Sequence, residues 1–273
     1  MSLVEKNKKL EEIIRDMGKI LIAFSGGVDS TFLVAKSKEI LGDQVLAVTA
    51  SSETFPQREF QAAVTLANQL GVSHQSVQIE ELTNENFVRN NPDRCFHCKS
   101  GLYHTLIDIA KKLGYPYICD GSNMDDMGDY RPGLKATRSL GIRSPLQEAN
   151  LFKKEIRMLS KEMGLPTWNK PSFACLSSRI PYGTRITQSK INQLDEAENF
   201  LLQLGFHQIR VRHHEKIARL EVLPQDMEKV LQYRETIDQN LKKLGFSYVT
   251  LDLCGYRAGS MNEVLRGAVK NEH

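Results

Sequence analysis

KILIAFSGGVDS, residues 19–30, decides the fold. Its first half is an apolar run of strand length, and its second half is a glycine turn opening a helix expected over 31–41. Gly26 and Gly27 let the backbone turn tightly and bring its N–H groups toward an anion, while the helix N-terminus adds partial positive charge. Ser25 and Ser30 add hydroxyl donors. Asp29 is out of place beside a phosphate unless a divalent cation mediates the contact. The string is neither GxxxxGK(S/T) nor GxGxxG, so two common nucleotide loops are excluded. A plain strand-to-helix turn with a Ser/Asp cap is the alternative.

Outward from this loop, strands and helices alternate. Upstream, Leu10, Ile13, Ile14 and Met17 recur at helical spacing and Gly18 is a helix stop. Downstream, QVLAVTA (44–50) and SHQSVQI (73–79) read as strands on either side of the helix PQREFQAAVTLANQLG (56–71). The helix LYHTLIDIAKKLG (102–114) then leads into a fourth strand, YPYICDG (115–121). This alternation predicts a parallel sheet with both faces covered, whose right-handed crossovers bring the carboxyl ends of its strands to one ligand-binding edge.

Past about residue 185 the pattern changes. TQSKINQLDEAENFLLQLG (187–205) reads as a helix, HQIRVRHH (207–214) and IARLEVL (217–223) as strands, PQDMEKVLQYRETIDQNLKKLG (224–245) as one further helix, and FSYVTLDL (246–253) as a last strand. LLQLGFHQIRVR (201–212) resembles LKKLGFSYVTLD (241–252), a two-copy repeat of helix, Gly-Phe and strand. The expected architecture is α/β over residues 1–184, with a smaller α+β domain over 185–273.

The chain has 273 residues, 41% hydrophobic and 25% charged, ordinary values for a globular enzyme with a proper core. A formal net charge of +3 is too small to imply nucleic acid by itself. No apolar run is long enough to span a membrane, and the N-terminal segment lacks an apolar signal core. Five cysteines, an odd number, argue against a disulfide framework and for a reducing, cytoplasmic setting.

Cys95 and Cys98 form a CxxC just before the 102–114 helix, and Cys175 follows far along the chain. CxxC by itself admits a zinc half-site, a redox pair or a structural turn. With Cys175 it makes a three-thiolate set, which could leave one corner of a 4Fe–4S cube without a protein ligand. His97 could complete a zinc site, although a residue between two CxxC ligands usually points away. Cys119 and Cys254 lie in or at the end of expected strands and read as small structural residues.

SGGVDS resembles the pyrophosphate-loop signature of the PP-loop ATPases, which have the adenine nucleotide alpha hydrolase-like fold, and DGSNMDD (120–126) resembles the segment that follows their fourth strand. Further strings extend the likeness over almost the whole chain: DYRPGLKA (129–136), RSPLQEA (143–149), WNKPSFACLSSRIPYGT (168–184), GFHQIRVRHH (205–214), IARLEV (217–222) and VTLDLCGYRAGSMN (249–262). Together they resemble the LarE family of ATP-dependent sulfur transferases of nickel-pincer cofactor biosynthesis.

The resemblance implies adenylation of the carboxylates of pyridinium-3,5-biscarboxylic acid mononucleotide and replacement of oxygen by sulfur, with AMP and pyrophosphate as products. It implies ATP and Mg2+ on Ser25, Gly26, Gly27, Asp29 and Ser30. Cys95, Cys98 and Cys175 match the members held to carry a 4Fe–4S cluster, as opposed to those that sacrifice one cysteine. Lys99 and Arg179 would act at the reacting centre, with Arg179, Arg210 and Arg212 toward the substrate phosphate. Glu198 and Glu221 match acidic positions whose task the sequence leaves open. Sulfide or another sulfur donor, other nickel-pincer biosynthesis proteins and a homo-oligomer are the partners implied. A tRNA thiolase, an ammonia-using PP-loop ligase and an ATP-sensing or zinc-binding module are the rival readings.

Overall fold

The structure, a computed structural model, describes residues 1–128, 132–263 and 265; residues 129–131 of DYRPGLKA lie outside the described residues. The chain divides into two compact units, residues 1–81 with 93–173 and residues 82–92 with 174–273.

In the first unit, helix α1 (Leu3–Met17) begins with a capping box: Glu5 N–H donates to Ser2 Oγ at 3.3 Å and Ser2 N–H to Glu5 Oε2 at 2.7 Å. It stops at Gly18, as its spacing predicts. Strand β1 (Ile20–Ala23), helix α2 (Val28–Leu41), strand β2 (Val45–Ser52), helix α3 (Gln57–Gln69) and strand β3 (Ser73–Ile79) follow. The short helix α4 (Glu85–Val88) belongs to the second unit; α5 (Arg94–Leu113), β4 (Tyr117–Cys119), α6 (Gly133–Ser139), α7 (Pro145–Glu148) and α8 (Lys153–Glu162) return to the first.

The four strands are parallel, in the order β3-β2-β1-β4. Ile20, Leu21 and Ile22 of β1 are fully buried but divide between two layers. Ile20 and Ile22 pack with Leu10, Ile14 and Phe32, whereas Leu21 packs with Leu106, Tyr103 and Ala136. Such two-sided burial is why the strand reads as an unbroken apolar run. Each of these side chains contributes about 1.5–3 kcal/mol relative to exposure.

Helix α5 begins eight residues earlier than its apolar pattern suggests, so CFHC lies inside its first turns rather than ahead of it. His97 Nε2 lies 3.2 Å from Asp93 Oδ2, the preceding residue on that face.

In the second unit, α9 (Gln188–Gln203), β5 (Ile209–His214), β6 (Ile217–Val222), α10 (Met227–Gln232), α11 (Arg234–Lys243) and β7 (Tyr248–Leu251) build a three-stranded sheet. Its order is β5-β6-β7, the first pair antiparallel and the second parallel. The two repeat copies are α9–β5 and α11–β7. Each turns at a glycine with positive φ, Gly205 and Gly245, and buries the following phenylalanine, Phe206 and Phe246. The single helix expected over 224–245 is a 3-10 turn, α10 and α11, broken at Tyr233. Val230, Ile237 and Leu241 keep one helical phase across that break, which is why the sequence reads as continuous.

Candidate active site

Strands β1 and β4 lie side by side, yet their connections leave the sheet in opposite directions, and ligands of open parallel sheets sit at such a switch point. The loop after β1 is SGGVDS. Gly26 takes φ +65°, and a Cβ there would lie 3.0 Å from Ala63 Cα and Cβ on α3, so both conformation and close approach require glycine. Gly27 caps α2, leaving the first-turn N–H groups of that helix free for a ligand. Ser25 Oγ and Ser30 Oγ are 3.2 Å apart, and the Ser25 amide donates to Ser30 Oγ at 3.3 Å, which closes the loop on itself. The loop after β4 closes on the same helix start: a Cβ on Gly121 would fall 2.9 Å from Ser30 N.

A cavity of about 280 Å³ opens here, lined among others by Ser25, Gly27, Asp29, Asn123, Lys153 and Lys170. Asp29 Oδ2 pairs with the Lys153 ammonium, while its Oδ1 is buried without a hydrogen-bond partner. Burial pushes the Asp29 carboxyl above its ordinary value, and the charge of Lys153 opposes that rise. Lys170 donates to the Gly26 carbonyl at 3.1 Å and pairs with Glu59 at 2.9 Å, propping the loop from the side of α3. An orphaned carboxylate oxygen beside a glycine loop and a helix N-terminus fits magnesium with a polyphosphate.

Lys99 sits on α5, one residue after the CxxC. Its Nζ is 3.4 Å from Asp120 Oδ2 and lies 5.7 Å from the Tyr103 ring centroid. Asp120 also accepts hydroxyl bonds from Tyr103 (2.8 Å), Ser122 (2.7 Å) and Ser144 (2.7 Å). Burial alone would raise its pKa, but Lys99 and these donors hold it below the usual value. Gly133 of α6 packs on the same stretch, where a Cβ would lie 2.8 Å from Lys99 Cδ.

Within the second unit, Arg179 is fully buried. Its Nε and Nη2 donate to the two oxygens of Glu198, each at 2.9 Å. Its Nη1 donates to the carbonyls of Ala174 (2.6 Å) and Cys175 (3.0 Å) and to Ser178 Oγ (2.9 Å). All three nitrogens are engaged, so Arg179 fixes the backbone at Cys175 instead of presenting a free fork to a phosphate. The Cys175 Sγ lies 2.9 Å from Ser177 Oγ.

Arg210 and Arg212 occupy alternate positions of β5 and hence one face. Arg212 donates to Glu221 (2.6 Å), Ser260 Oγ (3.0 Å) and the Ser178 carbonyl (3.1 Å), and its Nε is buried without a hydrogen bond. Arg210 lies over the Tyr256 ring, 5.4 Å from its centroid. Burial, then the charge of Arg179, lowers its pKa to about 10. Glu198 and Glu221 thus serve as counter-ions of this arginine cluster.

Cys95, Cys98 and Cys175 are half-buried and take part in no disulfide. Cys95 and Cys98, three apart on α5, share a helix face. Among the described residues, no group of three or more His, Cys, Asp and Glu side chains is arranged to hold a metal ion. Cys119 is buried, and burial pushes its thiol far up, in keeping with a structural role. Cys254 departs from expectation: β7 ends at Leu251, and Cys254 is exposed in the turn beyond it. Among the described residues, no helix is long and apolar enough to cross a membrane. Sequence reading passed over Lys153 and Lys170 because each reaches the loop from more than a hundred residues away; only the quoted string WNKPSFACLSSR carried Lys170.

Comparison with known proteins places this geometry. The NAD synthase family model matches residues 3–97, which span the first three strands and the glycine loop. An uncharacterized protein of Synechocystis sp. is 42% identical over 96% of this chain and 99% of its own. The pyridinium-3,5-bisthiocarboxylic acid mononucleotide synthase of Lactiplantibacillus plantarum is 41% identical over 98% of this chain and 97% of its own. An uncharacterized protein of Methanocaldococcus jannaschii is 28% identical over 94% and 97%. With the glycine loop, its cavity and the arginine cluster all within the span of that likeness, the chain belongs to the family of pyridinium-3,5-bisthiocarboxylic acid mononucleotide synthases, the LarE proteins.

Proposed function

We propose that the protein is an ATP-dependent sulfur transferase that converts the carboxylates of pyridinium-3,5-biscarboxylic acid mononucleotide to thiocarboxylates, the precursor of a nickel-pincer cofactor. The observation that carries this reading is the near end-to-end likeness to the Lactiplantibacillus enzyme in a chain that also builds the loop and cavity around Asp29. In the first half-reaction a substrate carboxylate oxygen attacks the α-phosphorus of ATP. The bond to the bridging oxygen breaks and pyrophosphate leaves with that electron pair. The loop amides and Ser25 and Ser30 hold the phosphates, and Asp29 would hold magnesium, which neutralises their charge. In the second half-reaction sulfur adds to the acyl carbon and AMP departs with its oxygen.

Lys99, held by Asp120, steadies the acyl-adenylate, and Arg210 and Arg212 take the substrate phosphate. An anion beside Arg210 would offset the burial and the neighbouring Arg179 charge that lower its pKa, and would supply the partner that Arg212 Nε lacks. Arg179 acts by fixing Cys175. The three-cysteine pattern of the sequence suits a 4Fe–4S cluster, which Cys95, Cys98 and Cys175 would hold; when bound, it would supply the sulfur for transfer. The setting is cytoplasmic, the active form a homo-oligomer, and sulfide and the other proteins of nickel-pincer biosynthesis are the partners.

The test is anaerobic incubation with ATP, Mg2+, the biscarboxylic acid mononucleotide and sulfide, read by mass spectrometry. AMP, pyrophosphate and a product with sulfur in place of oxygen are expected. ADP and phosphate, or an amide formed with ammonium, would overturn the reading. Iron, sulfide and zinc analysis of the same protein decides the metal. Cys175 should survive turnover intact; dehydroalanine at that position in active protein would replace the cluster with a sacrificial cysteine.

A further inference from the structure

We infer that Lys153 is an exchangeable counter-ion of the nucleotide site: in the nucleotide-free protein its ammonium balances Asp29, and when a metal–nucleotide complex enters it passes to the phosphates. The inference rests on the ATP-binding reading above. It starts from a difference between the two lysines of the cavity. Lys170 is held by two groups, the Gly26 carbonyl and Glu59, and behaves as a fixed prop. Lys153 is tethered by its backbone, whose N–H donates to Asp125 Oδ2 at 2.6 Å at the start of α8, while its ammonium reaches Asp29 Oδ2.

The two ends of that pair are unequal. Asp29 is fixed in the first turn of α2 and cannot leave. Lys153 has a flexible four-carbon stem and stands about a third exposed, so it can swing. Asp29 has one oxygen on Lys153 and one buried with none. Lys153 therefore occupies one carboxylate oxygen and leaves the other facing no partner. A divalent cation on Asp29 would leave the ammonium facing a like charge, and the anions that arrive with the metal are phosphate oxygens in the same cavity. Moving from carboxylate to phosphate removes the repulsion and places a positive charge where negative charge develops on departing pyrophosphate.

A static ion pair would behave differently when the ammonium is removed. With Lys153→Met, nucleotide-free protein should bind Mn2+ about tenfold more tightly, equivalent to about 1.4 kcal/mol, because no ammonium competes for Asp29. Free Mn2+ measured by electron paramagnetic resonance reads this without turnover. AMP formation should fall about a hundredfold in kcat, and Lys153→Arg should restore most of it with weak metal binding. Lys153→Gln serves as a second neutral variant if the Met protein fails to fold. Unchanged or weaker Mn2+ binding in the neutral variants, or wild-type AMP formation by them, would overturn the exchange. Wild-type protein that makes no AMP would instead overturn the transferase reading, and the Mn2+ titration would still judge Lys153.

Discussion

At the scale of single residues, charge burial governs what can change. Glu198 and Asp120 are nearly inaccessible carboxylates. Burial works against their charge, yet Arg179 at Glu198, and Lys99 with three hydroxyls at Asp120, outweigh it and lower both pKa values. A folded pKa below the unfolded one stabilises the fold above the ordinary carboxylate range, and that contribution is lost as pH falls through the folded pKa. Urea midpoints should therefore be level above about pH 5 and decline below about pH 4, with a shallower decline in Asp120→Asn. Removing one end of the Arg179–Glu198 pair, as in Glu198→Ala, should cost about 3–5 kcal/mol by leaving a buried charge unpaired, and denaturant titration measures it. Sequence alone made Ser25, Gly26, Gly27, Asp29 and Ser30 legible because they are contiguous and their chemistry is local. It also singled out Arg179, but not its task, because the Glu198 that occupies its fork is 19 residues away on another helix.

At the scale of elements, the alternation of strands and helices was open to view in the apolar spacing, and every strand of the larger sheet stands where that spacing puts it. The start of α5 was not, because CFHCKSG carries too few apolar residues to show a helical phase before Tyr103 is buried. Helices α6 to α8 escaped for a similar reason, two of them being seven residues or fewer. Their placement depends on close backbone approach, and two glycines test it. Gly121→Ala would press a methyl against the backbone of Ser30, so the β4 loop must back away from the start of α2. ATP binding measured by calorimetry should weaken about tenfold, and the overpacked contact should cost about 1–3 kcal/mol of stability as well. Gly133→Ala meets chiefly the flexible stem of Lys99, with the Cys95 carbonyl oxygen at 3.4 Å beside it. It should cost about 1–3 kcal/mol as an overpacked contact and alter the alkylation rate of Cys95 and Cys98, read by peptide mass spectrometry.

For the whole molecule, the feature least visible in the sequence is that its second unit is discontinuous. Nothing in LTNENFVRNNP, residues 82–92, announces that this stretch folds with residues beyond 173. The tie is Asn90, fully buried with φ +57°, whose side-chain amide donates to the carbonyls of Ile180 (3.2 Å), Pro181 (2.8 Å) and Thr184 (2.9 Å). Val88 accepts from the Ile186 amide at 2.9 Å, and Arg185 forks onto Glu85. A fragment of residues 174–273 should consequently lack a cooperative thermal transition, and joining residues 82–92 to it by a flexible linker should restore one, followed by circular dichroism. The same tie sets a clock on synthesis. The carbonyls that receive Asn90 are encoded 90 to 94 residues later, and at about 5–20 residues per second the ribosome delivers them roughly 5–20 seconds afterwards. During that wait Phe87 and Val88, later almost sealed from water, stand open to chaperones and to neighbouring nascent chains. The pace of translation thus sets how long this apolar pair waits for its cover.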